Sequence, residues 1–356
     1  MYKNWKKYAY RIGSLVCTLF LLTGLTACQN TEQSSKKNES TAVQNTVANR
    51  SGASDNIMTP SGSNNGNTAG VQAQAGNSAG SYLTQEEAAA DQNFQVPDGY
   101  DTERAGVKYG YYMEHISYYS STIQQDKEFA VLLPPGYIET QQYPVIYALH
   151  GFGGNQEEWQ FIRTIYGNMI ADGLAKPAIV VMPNMWTDQR TYEECDGYEQ
   201  RAAYDNFQND LANDLMPYVA SRFPVKTGRE NTAIIGLSQG GTESLGIGFL
   251  LQDRIGYIAS LAPCPGVIPT EYYKDTFWNV PMMDDFVIQN SDTAPYYILL
   301  TVGSQDPWDI ECTQYYDQVM TSKGINHVYD MIDGGNHDYS TWAPSFYNFA
   351  KRIFLQ

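Results

Sequence analysis

Positive charge is scarce in this chain. Lysine and arginine together number 22 against 39 aspartates and glutamates, a net charge of −17 over 356 residues. The first 100 residues carry as many basic as acidic groups, so the whole deficit lies beyond residue 100. So acidic a surface repels phosphate backbones and anionic headgroups, which excludes nucleic acid as a partner and favours an exported protein with a neutral substrate. Histidine is scarcer still, with four residues: His115, His150, His327 and His337. The five cysteines, Cys17, Cys28, Cys195, Cys264 and Cys312, form no metal-ligand spacing with them. No glycine-rich nucleotide loop is present either, so no cofactor and no metal is expected. The apolar stretch at 12–25 is short for a membrane span.

That stretch has another use. Lys3, Lys6, Lys7 and Arg11 precede it, and Leu25-Thr26-Ala27-Cys28 closes it. The pattern is that of an export signal, and its ending resembles the bacterial lipobox, in which the leader is cut before a cysteine that then carries lipid. Residues 1–28 are therefore expected to be a lipoprotein signal peptide, with Cys28 as the lipidated N-terminus holding the protein to the outer face of the cell membrane. A plain secretory signal is the alternative. Residues 29–95 are dominated by Asn, Ser, Gly, Gln, Thr and Ala, as in SGSNNGNTAG. Such a segment buries too little surface to offset its ordering entropy and is expected to be a disordered tether. A flexible chain of about 65 residues reaches roughly 40–50 Å. Residues 96–356 suit one large domain.

Within that domain the chain is organised around Asn231-Thr232-Ala233-Ile234-Ile235-Gly236-Leu237-Ser238-Gln239-Gly240-Gly241. A short buried strand runs into Gly-x-Ser-x-Gly, and an apolar, glycine-rich helical stretch continues to 251. A serine between strand and helix in this pattern is a nucleophile elbow, its glycines allowing the two elements to approach closely. The Gln239 backbone N–H, at the start of that helix, is a candidate donor to an oxyanion.

The remaining elements alternate. Strands are expected at 107–120, 129–133, 143–149, 178–182, 255–261, 296–302 and 328–332, with helical segments before 172, at 205–223 and at 339–355. Buried strands separated by helices imply a mainly parallel sheet flanked by helices, and the first two strands, joined without a helix, imply an antiparallel start.

Five segments now stand in order: YPVIYALHGFGG, DNFQNDLANDLMPYV, GLSQGG, VGSQDPWD and GGNHDYSTWAPSFYNFA. Together they resemble the esterase-D-like α/β-hydrolases, in particular the feruloyl and acetyl-xylan esterases of carbohydrate esterase family 1, from about Lys127 to the C-terminus. The resemblance implies an α/β-hydrolase fold and a serine esterase without cofactor. His337, in the loop after the last strand, lies where that fold carries its catalytic histidine. The order Ser…Asp…His places the acid between 238 and 337. Asp306 emerges at the end of a strand and fits the family's G-[ST]-x-D; Asp309 is the alternative, Asp338 a weaker one, and on that choice Asp309→Asn should be nearly silent. The second oxyanion donor is expected from Gly151-Phe152-Gly153-Gly154, with the Phe152 N–H chosen. His150 is expected to shape that loop, and His115 and His327 to be structural.

The 28 tyrosines suit sugar or aryl recognition, or simply tyrosine-rich strands. The insertion at 184–204 carries Trp186, the candidate for stacking on substrate. With Cys17 removed and Cys28 lipidated, three cysteines remain, an odd number; Cys264 and Cys312 each follow a strand and are placed to pair. The expected function is a serine carboxylic-ester hydrolase acting on feruloyl or acetyl groups of plant polysaccharide or related small esters. The rival readings are an acyltransferase resembling the mycolyltransferases, a non-catalytic carbohydrate-binding module of the same fold and, with nothing pointing to it, a peptidase.

Overall fold

The computed structural model describes residues 94–263 and 288–355. The expected signal peptide, the lipidation site Cys28, the tether up to 93 and Cys264, with its expected partnership to Cys312, lie outside the described residues. The first described residue, Phe94, has its ring buried in the core, under the Arg352 guanidinium.

Eight strands build one sheet: β1 (Tyr111–Ser120), β2 (Gln125–Leu133), β3 (Val145–Leu149), β4 (Ile179–Pro183), β5 (Thr232–Leu237), β6 (Tyr257–Leu261), β7 (Tyr297–Gly303) and β8 (Val328–Ile332). Their order across the sheet is β1-β2-β4-β3-β5-β6-β7-β8. The pairs β1–β2 and β2–β4 are antiparallel and all others parallel. The antiparallel start and parallel remainder agree with the sequence pattern.

The central strands are continuous apolar runs because both faces are covered. In β2, Ala130 and Leu132 enter one core cluster while Phe129, Val131 and Leu133 enter the other. The first face is closed by α1 (Ile162–Ala171) and by a C-terminal helix (Tyr339–Ala350), through Ile162, Ile165, Met169, Phe346 and Phe349. The second is closed by four helical pieces. A polar helix α2 (Gly197–Asp205) leads into α3 (Phe207–Asp210), a π turn (Leu211–Leu215) and α4 (Met216–Arg222). Helices α5 (Gln239–Leu250) and α6 (Ile310–Ser322) complete that face, and the Tyr339–Ala350 helix is α7.

The stretch 205–223 is helical, as its periodicity implies, but not uniformly so. It widens by a π turn where it passes β1, and there the carboxylate of Asp210 takes the ammonium of Lys127 at 2.7 Å and the hydroxyl of Tyr118 at 2.5 Å. Among the described residues no helix is long and apolar enough to cross a membrane.

Candidate active site

Ser238 stands where β5 ends and α5 begins. Its φ of 54° and ψ of −121° are seldom adopted by a residue with a side chain, a strain of about 1–3 kcal/mol that the surroundings must hold. Two bare glycines make the turn possible. A Cβ on Gly236 would collide with the Gly240 carbonyl, and one on Gly240 with the carbonyls of Leu149 and His150. The Ser238 N–H donates to the Leu261 carbonyl at 2.8 Å, and the Ser238 carbonyl accepts from Thr242 N–H at 3.2 Å. The backbone is thereby locked, while the residue itself remains half-buried. Gln239 opens α5, among the N-terminal amides that have no acceptor within the helix.

Asp306 and His337 emerge from neighbouring strands. Asp306 follows β7 and is buried. Its Oδ1 accepts the backbone N–H groups of Trp308 and Asp309 at 2.9 and 3.1 Å, and its Oδ2 accepts from His337 Nδ1 at 2.7 Å. Burial works to raise this carboxyl, but the His337 bond and charge and the two N–H groups more than offset it, so Asp306 stays below its ordinary range. The loop after β8 that carries His337 is tied to the Asp306 turn: Ser304 N–H donates to Ile332 O at 2.9 Å and Gln305 N–H to Gly335 O at 2.7 Å. The His337 ring sits between Trp308 and Trp342, each edge-on with centroids 5.0 Å away. Burial pushes its pKa down, yet the bond to Asp306 and the charges of Asp309, Asp306 and Glu158 leave it above the ordinary histidine value. With its proton fixed on Nδ1, Nε2 is the basic nitrogen.

The alternative acids separate cleanly. Asp338 caps α7, accepting from the Ser340 N–H at 2.8 Å, and is engaged there. Asp309 Oδ2 lies 3.4 Å from His337 Nδ1, farther than Asp306 but facing the same nitrogen. Asp306, Asp309 and His337 bring three potential metal donors within 4.8 Å of one another. Asp306 Oδ2 and His337 Nδ1 are already bonded together, which is the chemistry of an oriented histidine rather than of an open coordination shell.

The other histidines are engaged with partners of their own. His150 is buried, donates from Nδ1 to the Gly151 carbonyl at 2.7 Å and accepts the Met185 N–H on Nε2 at 2.9 Å; burial lowers its pKa to about 4. His327 is engaged by the Ile325 carbonyl and Asp317, and His115, at an irregularity in β1, by Glu128.

The loop after β3 passes beside the serine, since a Cβ on Gly151 would lie 3.5 Å from Ser238 Cβ. Gly151 N–H donates to Glu158 Oε2 at 2.6 Å and Gly153 N–H to the Tyr204 hydroxyl at 2.9 Å, and Phe152 stands between them. Its ring packs on Tyr204 and Tyr192, with centroids at 5.3 and 5.5 Å. Trp186 joins the same aromatic group, at 5.5 Å from Tyr192 and 5.7 Å from Tyr204, and its indole N–H donates to the Arg190 carbonyl at 2.8 Å.

Several site residues have no sequence signal. Glu158, half-buried, anchors Gly151 and feels the charge of His337. Beside the elbow, Gln239 Nε2 donates to Glu243 Oε1 at 2.7 Å, and Arg201 Nη1 donates to Gln239 Oε1 at 3.3 Å. Glu243 also shares a hydrogen bond with Asp205; burial and the Asp205 charge push Glu243 well up, so the shared proton belongs to Glu243. Gln239 and Glu243 stand one turn apart on α5, but the contacts of Glu158 with Gly151, of Arg201 with Gln239 and of Asp205 with Glu243 follow no sequence period, which is why only the structure reveals them.

The strand order, the antiparallel start and the strained turn after the fifth strand are those of an α/β-hydrolase. Comparison with known proteins narrows the class. The family model Esterase matches residues 120–353, and the chain belongs to that family. An endo-1,4-beta-xylanase/feruloyl esterase of Xylanibacter ruminicola is 26% identical over 250 residues, 68% of this chain and 31% of the relative. The chain thus spans about a third of that curated relative's length. Among solved structures, a CE1 ferulic acid esterase of the anaerobic fungus Anaeromyces mucronatus is 31% identical, with 73% of this chain and 97% of that one covered and a TM-score of 0.68. The same fungal enzyme solved with ferulic acid gives a TM-score of 0.66, at the same 31% identity and with the same 73% and 97% of the chains covered. A feruloyl esterase module of Clostridium thermocellum shares the fold at 17% identity, covering 73% of this chain and 93% of that one, with a TM-score of 0.57. The chain is an esterase, an enzyme that cleaves carboxylic esters.

Proposed function

We propose that the chain is a serine esterase that removes feruloyl or acetyl groups from plant polysaccharide, or cleaves related small aryl esters. The observation that carries the catalytic assignment is the 2.7 Å bond between His337 Nδ1 and Asp306 Oδ2, which dedicates Nε2 to proton transfer. Ser238 Oγ attacks the ester carbonyl and passes its proton to His337 Nε2. Asp306 holds the ring and stabilises the imidazolium. The carbonyl oxygen, now an oxyanion, takes the N–H groups of Gln239 and Phe152, each donor worth about 3–4 kcal/mol to the transition state. Collapse of the intermediate breaks the bond to the alcohol, which leaves with the proton from Nε2. Water then attacks the acyl-enzyme, giving its proton to Nε2, and the free acid departs as Ser238 is reprotonated.

The feruloyl assignment draws support from the names of the Xylanibacter and Anaeromyces relatives. Exposed Trp308 beside His337, and Trp186 with Phe152 beside the loop, offer aromatic faces of the kind that take an aryl acid or a sugar. Purified protein incubated with methyl ferulate, 4-nitrophenyl acetate and acetylated xylan should release ferulate most efficiently. Acyl transfer to a sugar without free acid would replace hydrolase by transferase, and no turnover of any ester would overturn the reading.

The same proposal includes the anchor. Cleavage before Cys28 and its lipidation would hold the enzyme outside the cell membrane on a tether of about 65 residues. Cys28→Ala should move it from the membrane fraction to the medium, and unchanged fractionation would contradict the anchor.

A further inference from the structure

Asp309 is a buried carboxyl that forgoes the role its position offers. It immediately precedes α6, at the N-cap, where an aspartate ordinarily accepts a backbone N–H from the first turn. Its side chain makes no such bond. Its own carbonyl instead takes both the N–H and the hydroxyl of Thr313, at 2.9 and 2.6 Å, which fixes the residue in place. The carboxyl is turned inward, the residue 4% exposed, with Oδ2 3.4 Å from His337 Nδ1. A carboxyl held out of water, without a capping bond and directed at one imidazole nitrogen, is costly unless it serves that imidazole.

We propose that Asp309 is a second positioning acid for His337, facing the same ring nitrogen as Asp306 and taking over the imidazole when the Asp306 carboxylate is lost. The inference rests on the esterase reading, with Ser238 and His337 as its nucleophile and base. The charged groups facing the pair are few. His337 meets Asp306, Asp309 and Glu158, and Asp309 meets His337, Asp306 and Arg201 of α2. Burial raises the Asp309 carboxyl to about 7, with His337 and Arg201 pulling it back and Asp306 pushing it further. Two carboxyls so close to one ring ionise unequally. Asp306, with two N–H groups on Oδ1, holds the charge, and Asp309 holds the proton over part of the neutral range. Remove the Asp306 carboxyl and the repulsion goes with it, leaving Asp309 to ionise against Nδ1. This departs from the sequence reading, under which Asp309→Asn is nearly silent.

The test compares Asp309→Asn, Asp306→Ala and the double variant in the full chain, with kcat, KM and the pH profile of kcat/KM on methyl ferulate or 4-nitrophenyl acetate. Asp306→Ala is chosen because an amide at 306 would present an N–H to Nδ1 and enforce the wrong tautomer. The double variant should be slower than Asp306→Ala by roughly tenfold or more, since the two acids act as alternatives rather than independently. Asp309→Asn alone should hold KM and shift the acid limb of kcat/KM to lower pH, because it removes the share of Asp309 that is ionised across the neutral range and there favours the imidazolium; a merely structural role would leave that limb in place. Equal rates for Asp306→Ala and the double variant, or an unmoved limb in Asp309→Asn, would overturn the proposal. Should Asp306→Ala fail to fold, the pH profile of Asp309→Asn decides alone. Ser238→Ala, assayed alongside, separates the two questions: activity in that variant sinks the esterase reading itself.

Discussion

His337 donates from Nδ1 to Asp306 Oδ2 at 2.7 Å although the two residues are 31 positions apart. The pairing of β7 with β8, ending at Gly303 opposite Ile332, delivers both to one edge of the sheet. The net effect of the carboxylates around the ring is to favour its charged form despite burial. Catalysis needs the neutral ring, so the acid limb of kcat/KM should lie above about pH 6.5, the ordinary histidine value. Replacing Asp306 by Asn should lower that limb as well as the rate. A parent profile flat down to about pH 5 would contradict the assignment of His337 as base.

The elbow should tolerate nothing larger than glycine at two positions. Gly236→Ala drives a Cβ into the Gly240 carbonyl, which is backbone and cannot swing away. Overpacking at such a contact costs about 1–3 kcal/mol or more. Thermal unfolding should show a lowered Tm together with lost activity. An unchanged Tm would mean that strand and helix meet less closely than described.

His150 links stability to pH. Its folded pKa, lowered to about 4 by burial, lies below the unfolded value, so the stability lent by its neutral form is intact above about pH 6.5 and is lost as pH falls toward 4. The full effect is about 3 kcal/mol, at roughly 1.36 kcal/mol for each pH unit between the two values. His150→Gln cannot titrate there. The Tm gap between parent and variant at neutral pH should therefore narrow as pH falls toward 4, and a constant gap would contradict the buried neutral state.

Lys127 and Asp210 form a buried pair at 2.7 Å, with the ammonium also 5.2 Å from the Phe207 ring centroid. Asp210→Asn leaves that ammonium without its counter-charge, a loss of about 3–5 kcal/mol. Adding Lys127→Met should recover part of it, because the new side-chain amide still accepts the Tyr118 hydroxyl and no charge remains stranded. Denaturant unfolding of the single and double variants checks this; a double variant less stable than the single would contradict it.

What the sequence discloses, and what it conceals, divides by the range of the interactions. Ser238 and its glycines are legible because the elbow is a local steric solution, and β8 is legible end to end because its residues must all lie in a sheet. The alternation of strands and helices likewise announces a parallel sheet. Asp306 and Asp309 share one turn; the G-[ST]-x-D pattern points to Asp306, but that Asp309 also turns its carboxyl to Nδ1, at 3.4 Å, depends on side-chain torsions that no motif records. Lys127 and Asp210 are 83 positions apart, and Glu158 binds a backbone amide, so neither leaves a pattern. Helix α2 is too polar to show a helical stripe; it is held by Tyr204 at the Gly151–Gly154 loop and by Arg201 at Gln239. The π turn in 207–222 hides within an apolar period that reads as a regular helix.

The central claim is that Ser238 is the nucleophile of an esterase, and one substitution tests it most directly. Ser238→Ala removes a hydroxyl from a turn whose backbone bonds to Leu261 and Thr242 do not involve it, so folding should be preserved. The decisive measurement is kcat/KM of parent and Ser238→Ala on 4-nitrophenyl acetate and methyl ferulate, with circular dichroism to confirm equal folding. The account predicts a loss of roughly 10⁴-fold or more, matched by His337→Ala because the residues act as a unit. Ester cleavage by Ser238→Ala at the parent rate would contradict it.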